Sequence, residues 1–177
     1  MDPEARRRAC AAFRVKLSRD TGTNLTAAVC EELLGSTFEG AEDGELISLE
    51  SNPGNFYVSL GDNIAHQTLA MVHADHFKVA WFCYREAAEV HTYPWGMRTL
   101  ASCYRTGEGV EPDPAQAAAW LQRAVDTSDP ASIATLGAYL VYGNPRAEVV
   151  KDAARGFELV RQAFAQGFRP ALYQVVT

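Results

Sequence analysis

Lysine is nearly absent from this chain of 177 residues: only Lys16, Lys78 and Lys151 occur, and arginine carries the remaining positive charge. No run of about 20 apolar residues exists, so no segment can span a bilayer as a helix. Cys10, Cys30, Cys83 and Cys103 are irregularly spaced, with no CxxC pair. A disulfide scaffold of this size would be denser, so they read as reduced thiols. There is no glycine-rich phosphate loop, serine nucleophile elbow or HExxH pattern. Gly107-Glu108-Gly109 follows a helical stretch, whereas a nucleotide fingerprint would follow a strand. A net charge of -6 argues against a mainly electrostatic grip on nucleic acid. Arg6-Arg7-Arg8 is followed by no apolar h-region, so the expectation is an intracellular, cytoplasmic protein with no secretory signal. Arg14, Lys16 and Arg19 continue the basic trend and keep a mitochondrial destination as the alternative, against which Asp2 and Glu4 count.

What is present is a helical pattern. Asp2-Pro3-Glu4 offers an N-cap, a first-turn proline and a first-turn acid, and predicts a basic amphipathic helix over 2–19 with Ala9, Ala12, Phe13, Val15 and Leu17 on its apolar positions. A second helix is expected over 25–34, capped by Thr23 or Asn24, with Leu25, Val29, Leu33 and Leu34 on one stripe. From Thr21 to Asn55 there is no Lys or Arg but seven acids, and Gly40, Gly44, Pro53 and Gly54 predict an acidic linker over 36–55. Phe56, Leu60, Ile64, Leu69 and Val72 can share a helix face. Phe77, Ala80, Trp81, Tyr84, Ala87 and Ala88 form a stronger stripe over 77–90. No downstream segment reads as a strand.

A repeat is visible. Leu100-Ala101-x2-Tyr104-x2-Gly107-x-Gly109-Val110-x2-Asp113-x3-Ala117-x2-Trp120-x3-Ala124 recurs as Leu136-Gly137-x2-Leu140-x2-Gly143, then Asp152-x3-Gly156-x2-Leu159-x3-Ala163. The second copy carries a longer loop. Ala80-x2-Cys83-x3-Ala87 repeats the second helix alone. Small residues recur where two helices approach, large ones fill between, Gly107 and Gly143 stand at C-caps, and Asp113-Pro114 and Asp129-Pro130 restart helices.

The first of these units resembles the SEL-one-like repeat family, a subgroup of the tetratricopeptide-like α-solenoids, including its Gly-x-Gly-Val loop. The second departs from the pattern at Leu140, Leu159 and Gly143-Asn144-Pro145-Arg146. The resemblance implies an all-α helix-turn-helix repeat solenoid over 56–177, with units at about 56–91, 94–127 and 130–167, a partial unit at 168–177, and an N-terminal helical extension over 1–35. Such units bury their faces only by stacking. Pro170 and Ala171 are expected to begin a further helix whose flank, Leu172, Val175 and Val176, needs cover from a partner chain.

The resemblance further implies that first helices line a partner groove. Its register places there Trp95, Arg98, Ser102, Arg105, Ala134, Ala138, Val141, Tyr142 and Tyr173. Two arginines beside a small apolar floor suit a peptide with acidic and apolar side chains. The expected function is a non-catalytic protein-protein interaction scaffold or adaptor, or a subunit of a larger assembly, with no cofactor and no metal. The alternatives are an RNA-contacting subunit using the basic N-terminal helix and a metal-dependent enzyme at His73, Asp75 and His76 with His66 nearby. Ligands so close in sequence do not converge without a distant partner, so that stretch reads as a polar turn. Cys83 and Cys103 fall on helix stripes and read as core thiols.

Overall fold

The computed structural model describes residues 3–39, 52–66 and 75–172. Eight α-helices dominate these residues, and none of them belongs to a strand, apart from an isolated bridge between Asn144 and Val149. The all-α fold therefore follows the sequence pattern. The chain forms two compact units, Met1–His91 and Thr92–Thr177.

The first unit contains α1 (Pro3–Thr21), α2 (Ala27–Glu39), α3 (Pro53–His66) and α4 (His76–Arg85), the last continued by a π-helical turn, Glu86–Val90. In α1 the buried stripe is Cys10, Phe13 and Leu17, while Val15 is 70% exposed. The apolar face is thus centred differently from the sequence expectation. The second helix starts later than expected because Thr26, rather than Thr23 or Asn24, caps it: Thr26 Oγ1 accepts from the Val29 amide at 3.3 Å. It also runs to Glu39, into the stretch read as linker. Residues 40–51 and 67–74, including most of that linker and the expected helical positions Leu69 and Val72, lie outside the described residues.

In the α3–α4 hairpin, Leu60-Gly61-x2-Ile64 occupies the places of Leu100-Ala101-x2-Tyr104 and Leu136-Gly137-x2-Leu140. Leu60 and Ile64 are buried, and a Cβ on Gly61 would sit 2.6 Å from the Tyr84 ring. Tyr84 donates its hydroxyl to Asp62 Oδ1 at 2.7 Å. The α3–α4 hairpin thus has the same spacing of large and small residues in its first helix as the two later hairpins.

The second unit holds α5 (Pro94–Thr106), α6 (Pro114–Asp126), α7 (Pro130–Tyr142) and α8 (Ala153–Ala165). Asp113, Asp129 and Asp152 cap α6, α7 and α8, accepting from the amides of Gln116, Ser132 and Arg155 at 3.0, 2.8 and 3.1 Å. Gly107 and Gly143 end α5 and α7 at φ of 84° and 78°, as their C-cap positions require. Both hairpins are closed by an equivalent bond. The Asp113 amide donates to the Tyr104 carbonyl at 2.9 Å, and the Asp152 amide to the Leu140 carbonyl at 2.8 Å. Between those anchors the second loop fits a 3₁₀ turn, Pro145–Ala147, that packs on α5 and α6 with Ala147 only 1% exposed.

The α7–α8 contact is backbone against backbone. A Cβ on Gly137 would come 2.9 Å from the Gly156 carbonyl oxygen, and one on Gly156 would come 2.7 Å from that of Gly137 and 2.8 Å from the Val141 nitrogen. Beside this contact, Ile133, Ala134, Val160, Ala163 and Ala171 form a buried cluster. The chain after Gly167 folds as a tight 3₁₀ turn, Arg169–Leu172, rather than the expected α-helical start, and puts Ala171 into that cluster. Tyr173, Val175 and Val176 fall outside the described residues, as does the Leu172 side chain.

Backbone atoms cannot yield as a flexible side chain can. Gly137→Ala and Gly156→Ala are each expected to lower unfolding free energy by about 1–3 kcal/mol, with the double variant less than additive because both relieve one contact. Urea unfolding monitored by circular dichroism checks this.

Candidate partner-binding face

In the second unit, Asp129 ties the two hairpins together. Its Oδ2 accepts from the Ser132 amide at 2.8 Å, the Ser132 hydroxyl at 2.6 Å and Arg98 Nη1 at 3.0 Å. One carboxylate oxygen thus caps α7 and holds α5. Burial lowers the Arg98 pKa, opposed by the Asp129 and Tyr93 charges. Burial likewise raises the Tyr93 phenol. Arg98, expected as a groove cation, is a structural strut.

The neighbouring surface is concave. A cleft of about 300 Å³ lies between α5, α6, α7 and the inserted turn, with Arg98, Thr99 and Ser102 on one side, Thr135 and Tyr139 on the other, and Ala101, Ala117, Leu121 and Ala147 completing it. A second depression of about 410 Å³ shares Thr135 and Tyr139 and runs past Ala138 and Tyr142 to Gly143 and Asn144. The two form a continuous face along the first helices. Arg105 donates from Nη2 to Ser102 Oγ at 3.1 Å. Trp95 and Tyr142 are 44% and 55% exposed.

Of the groove positions drawn from the resemblance, Arg98, Ser102, Ala138 and Tyr142 line these clefts, Arg105 bonds to Ser102 without lining them, and Trp95 is exposed on α5. Ala134 and Val141 are corrections: they are 0% and 7% exposed and point into packing. The register explains this. Position 98 in one unit and 134 in the next face the element that follows, Asp129 in the first case and Ala171 in the second. Val141 covers Gly156, where its Cγ2 would lie 2.7 Å from an added Cβ. Thr99, Thr135, Tyr139 and Ala147 were missed. Thr135, Ala138 or Tyr139, and Tyr142 do have helical i, i+3/4, i+7 spacing, which is the signal that finds them. Tyr173 lies outside the described residues.

In the first unit the N-terminal cations are used internally. Lys16 pairs with Glu86, which is 3% exposed, and Arg85 pairs with Asp20 while stacking 5.0 Å from the Trp81 ring. Arg14 Nε donates to the Leu25 carbonyl at 2.6 Å, and Arg19 Nε to Asp20 at 2.8 Å. Arg14 and Lys16 of the basic helix proposed for RNA thereby tie α1 to its neighbours, while Arg7, Arg8 and Arg19 remain exposed. Phe13 meets Phe82 edge to face at 5.6 Å in the same seam. All four cysteines are buried and free. Burial raises the Cys30 and Cys83 thiols, and it pushes the Tyr57 phenol, near Cys83 and Glu86, up to about 12. These groups suit a core rather than nucleophilic chemistry. Asp75 pairs with Lys78 at 3.4 Å, and His76 lies 4.1 Å from the Phe77 ring. Among the described residues no three potential ligands converge on a metal position; His73 and the His66 side chain lie outside them. No described helix is long and apolar enough to cross a membrane.

The two halves of this geometry give separate expectations. Asp129→Ala removes the cap and strands Arg98, costing about 2–4 kcal/mol, whereas Asp129→Asn keeps the cap and costs about 1 kcal/mol, by chemical denaturation. Asp20 is held below the usual carboxylate range, first by Arg19 and also by Arg85. The folded state therefore binds this proton less readily than the unfolded one, so the contribution is complete above the ordinary carboxylate pKa and fades as pH falls through the lowered folded value. Asp20→Asn is expected to depress the melting temperature at neutral pH, with the difference from wild type closing in acid. A difference independent of pH would exclude this linkage.

Comparison with known proteins matches this architecture. Residues 96–126 and 130–168 fit the Sel1 repeat model. The structure is similar to a Sel1 repeat protein from Oxalobacter formigenes, at 25% identity over 71% of this chain and 90% of that one, with a TM-score of 0.53. It also resembles c5321, a protective antigen present in uropathogenic Escherichia coli strains that displays an SLR fold. There the identity is 18%, 91% of this chain and 31% of that chain are covered, and the TM-score is 0.55, so the fold alone is shared. No curated protein matches the chain.

Proposed function

We propose that this chain, which belongs to the Sel1-repeat family through residues 96–168, is a non-catalytic adaptor that holds a segment of another protein on its α5–α7 face. The observation that carries the reading is the pair of clefts sharing Thr135 and Tyr139, walled by two successive first helices and flanked by the exposed rings of Trp95 and Tyr142. Helical repeats present such extended concave surfaces because adjacent units rotate only slightly. Mixed aromatic, hydroxyl and methyl surface of this kind suits side-chain recognition.

A subunit role in a larger assembly is the narrower version of this reading. It is favoured by Phe157 and Phe164, one face of α8, which are 55% and 45% exposed, and by Val150 at 83%. Exposed aromatic rings at i, i+7 form the sort of apolar patch that a neighbouring subunit covers.

Affinity capture from the native cell, quantified by mass spectrometry, tests the adaptor reading. Partners are expected to be retained by wild type and by Gln122→Ala on the outer face of α6, and to be lost with Tyr142→Ala or Thr135→Trp. Retention that ignores both groove substitutions would place binding elsewhere.

A further inference from the structure

Helix α8 carries two seams. Gly156, Val160 and Ala163 are buried, against α7 and the cluster beside it. Ala154, Phe157, Arg161 and Phe164 make the second, spaced three, four and three residues apart and lying roughly 110° around the helix from the first. All four are exposed, the two rings by 55% and 45%. Alternating spacing of three and four is what one helix presents to another. On one flank of this seam Glu158 and Arg161 pair at 2.6 Å, both well exposed. An exposed pair of this kind is held weakly, so its members can take partners on another surface. The seam therefore has a ring at each end, with an acid and a base on the same flank between them.

We propose that the outer seam of α8 is a two-fold interface, occupied by α8 of a second copy of this chain running antiparallel to it. A two-fold axis crossing α8 midway between Phe157 and Phe164 sets Phe157 against the partner's Phe164, and does so twice. The axis keeps each flank on its own side and reverses its direction, so the charges interleave as Glu158, the partner's Arg161, Arg161, the partner's Glu158. At 1.5 Å per residue, Glu158 then stands about 3 Å along the axis from the partner's Arg161, against about 4.5 Å from its own. Each guanidinium gains an acid across the interface, which offsets the approach of the two arginines. Nucleic acid or an anionic lipid surface brings one sign of charge to this flank, whereas a reversed α8 brings both signs and both rings. Four half-exposed rings cover roughly 400 Å². With the exposed Ala154 and Ala165 surface beside them, the contact falls at the low end of specific interfaces, about 1,000 Å² in all, which makes the dimer reversible. Helix α8 lines neither cleft, so pairing leaves the clefts of both copies open.

This proposal rests on the subunit reading of α8 and does not depend on the clefts. Sedimentation equilibrium of the full chain, from micromolar to sub-millimolar concentration, is expected to show the average mass rising from 19.3 kDa towards twice that value. Phe157→Asp should hold the chain at the monomer with an unchanged circular dichroism spectrum, because the ring lies outside the core. Glu158→Arg and Arg161→Glu should each weaken self-association at least about tenfold by setting like charges across the axis. An equimolar mixture of those two variants should restore it, because every charge then meets its opposite. A wild type that stays monomeric throughout, or a dimer indifferent to Phe157→Asp and to mixing, would overturn the pairing. Native-cell capture separates this proposal from the reading beneath it. Proteins held by a monomeric wild type and lost with Phe157→Asp would leave α8 a subunit face for a different chain, whereas identical captures would overturn the subunit reading as well.

Discussion

The closeness of the two helices in a hairpin is the constraint on which the other features depend. In α7–α8 it reaches its limit, with each of Gly137 and Gly156 set against the other's carbonyl oxygen. That approach brings Val141 over Gly156 and Val160 over Gly137, and it commits one flank of α7 to α8. The opposite flank, Thr135, Ala138, Tyr139 and Tyr142, is left to form a surface. The same opposition of a small first-helix residue to a larger second-helix one recurs as Gly61 and Tyr84 in α3–α4. Where the small residue is Ala101, its methyl instead contributes to the cleft, together with Leu121. A change from alanine to glycine at one register thus trades cleft floor for helix contact.

Loop variation acts within the limits set by that packing. Both hairpins of the second unit retain the bond from the capping aspartate's amide to the carbonyl at position 104 or 140. The ends of the connection are therefore fixed, and extra residues must bulge locally. The bulge is the Pro145–Ala147 turn, whose buried Ala147 becomes part of the cleft. It also holds Glu148 at a φ of 50°, a left-handed conformation that costs a side-chain-bearing residue energy and is sustained here by the amide bonds to the Pro145 and Asn144 carbonyls around it. The longer loop thus adds a wall to the cleft without disturbing the hairpin.

Local chemistry was legible in the sequence, and neighbour-dependent chemistry was not. The capping aspartates, the C-cap glycines and the α5–α8 boundaries follow from signals within a few residues, so they could be read directly. The helix at 56–64 was expected, but the likeness of Leu60-Gly61-x2-Ile64 to the later first helices escaped because no Gly-x-Gly loop follows it to mark its phase. The salt bridge between Lys16 and Glu86 joins residues 70 apart and leaves no periodic trace. The lining of the clefts was partly legible. Helical periodicity tells which residues share a face, but whether that face is open depends on what packs next, and this moved Ala134 and Val141 inside. The acidic linker's middle, Tyr173 and His73 lie beyond what the structure describes.

The near-replacement of lysine by arginine gains physical meaning from the positions the side chains occupy. Arg85 is shared between Asp20 and the faces of Trp81 and Phe82, uses a flat delocalised cation serves and a compact ammonium does not. Arg123 lies 4.5 Å from the Trp120 ring in the same manner. Arg98 spends its fork on a carboxylate that is itself needed as a helix cap, so neither partner can leave without exposing the other's cost. Only after Arg98 is accounted for does Arg105 stand out. The two arginines of α5 are thus not equivalent: Arg98 is held by the carboxylate that caps α7, whereas Arg105 donates to Ser102 on its own helix.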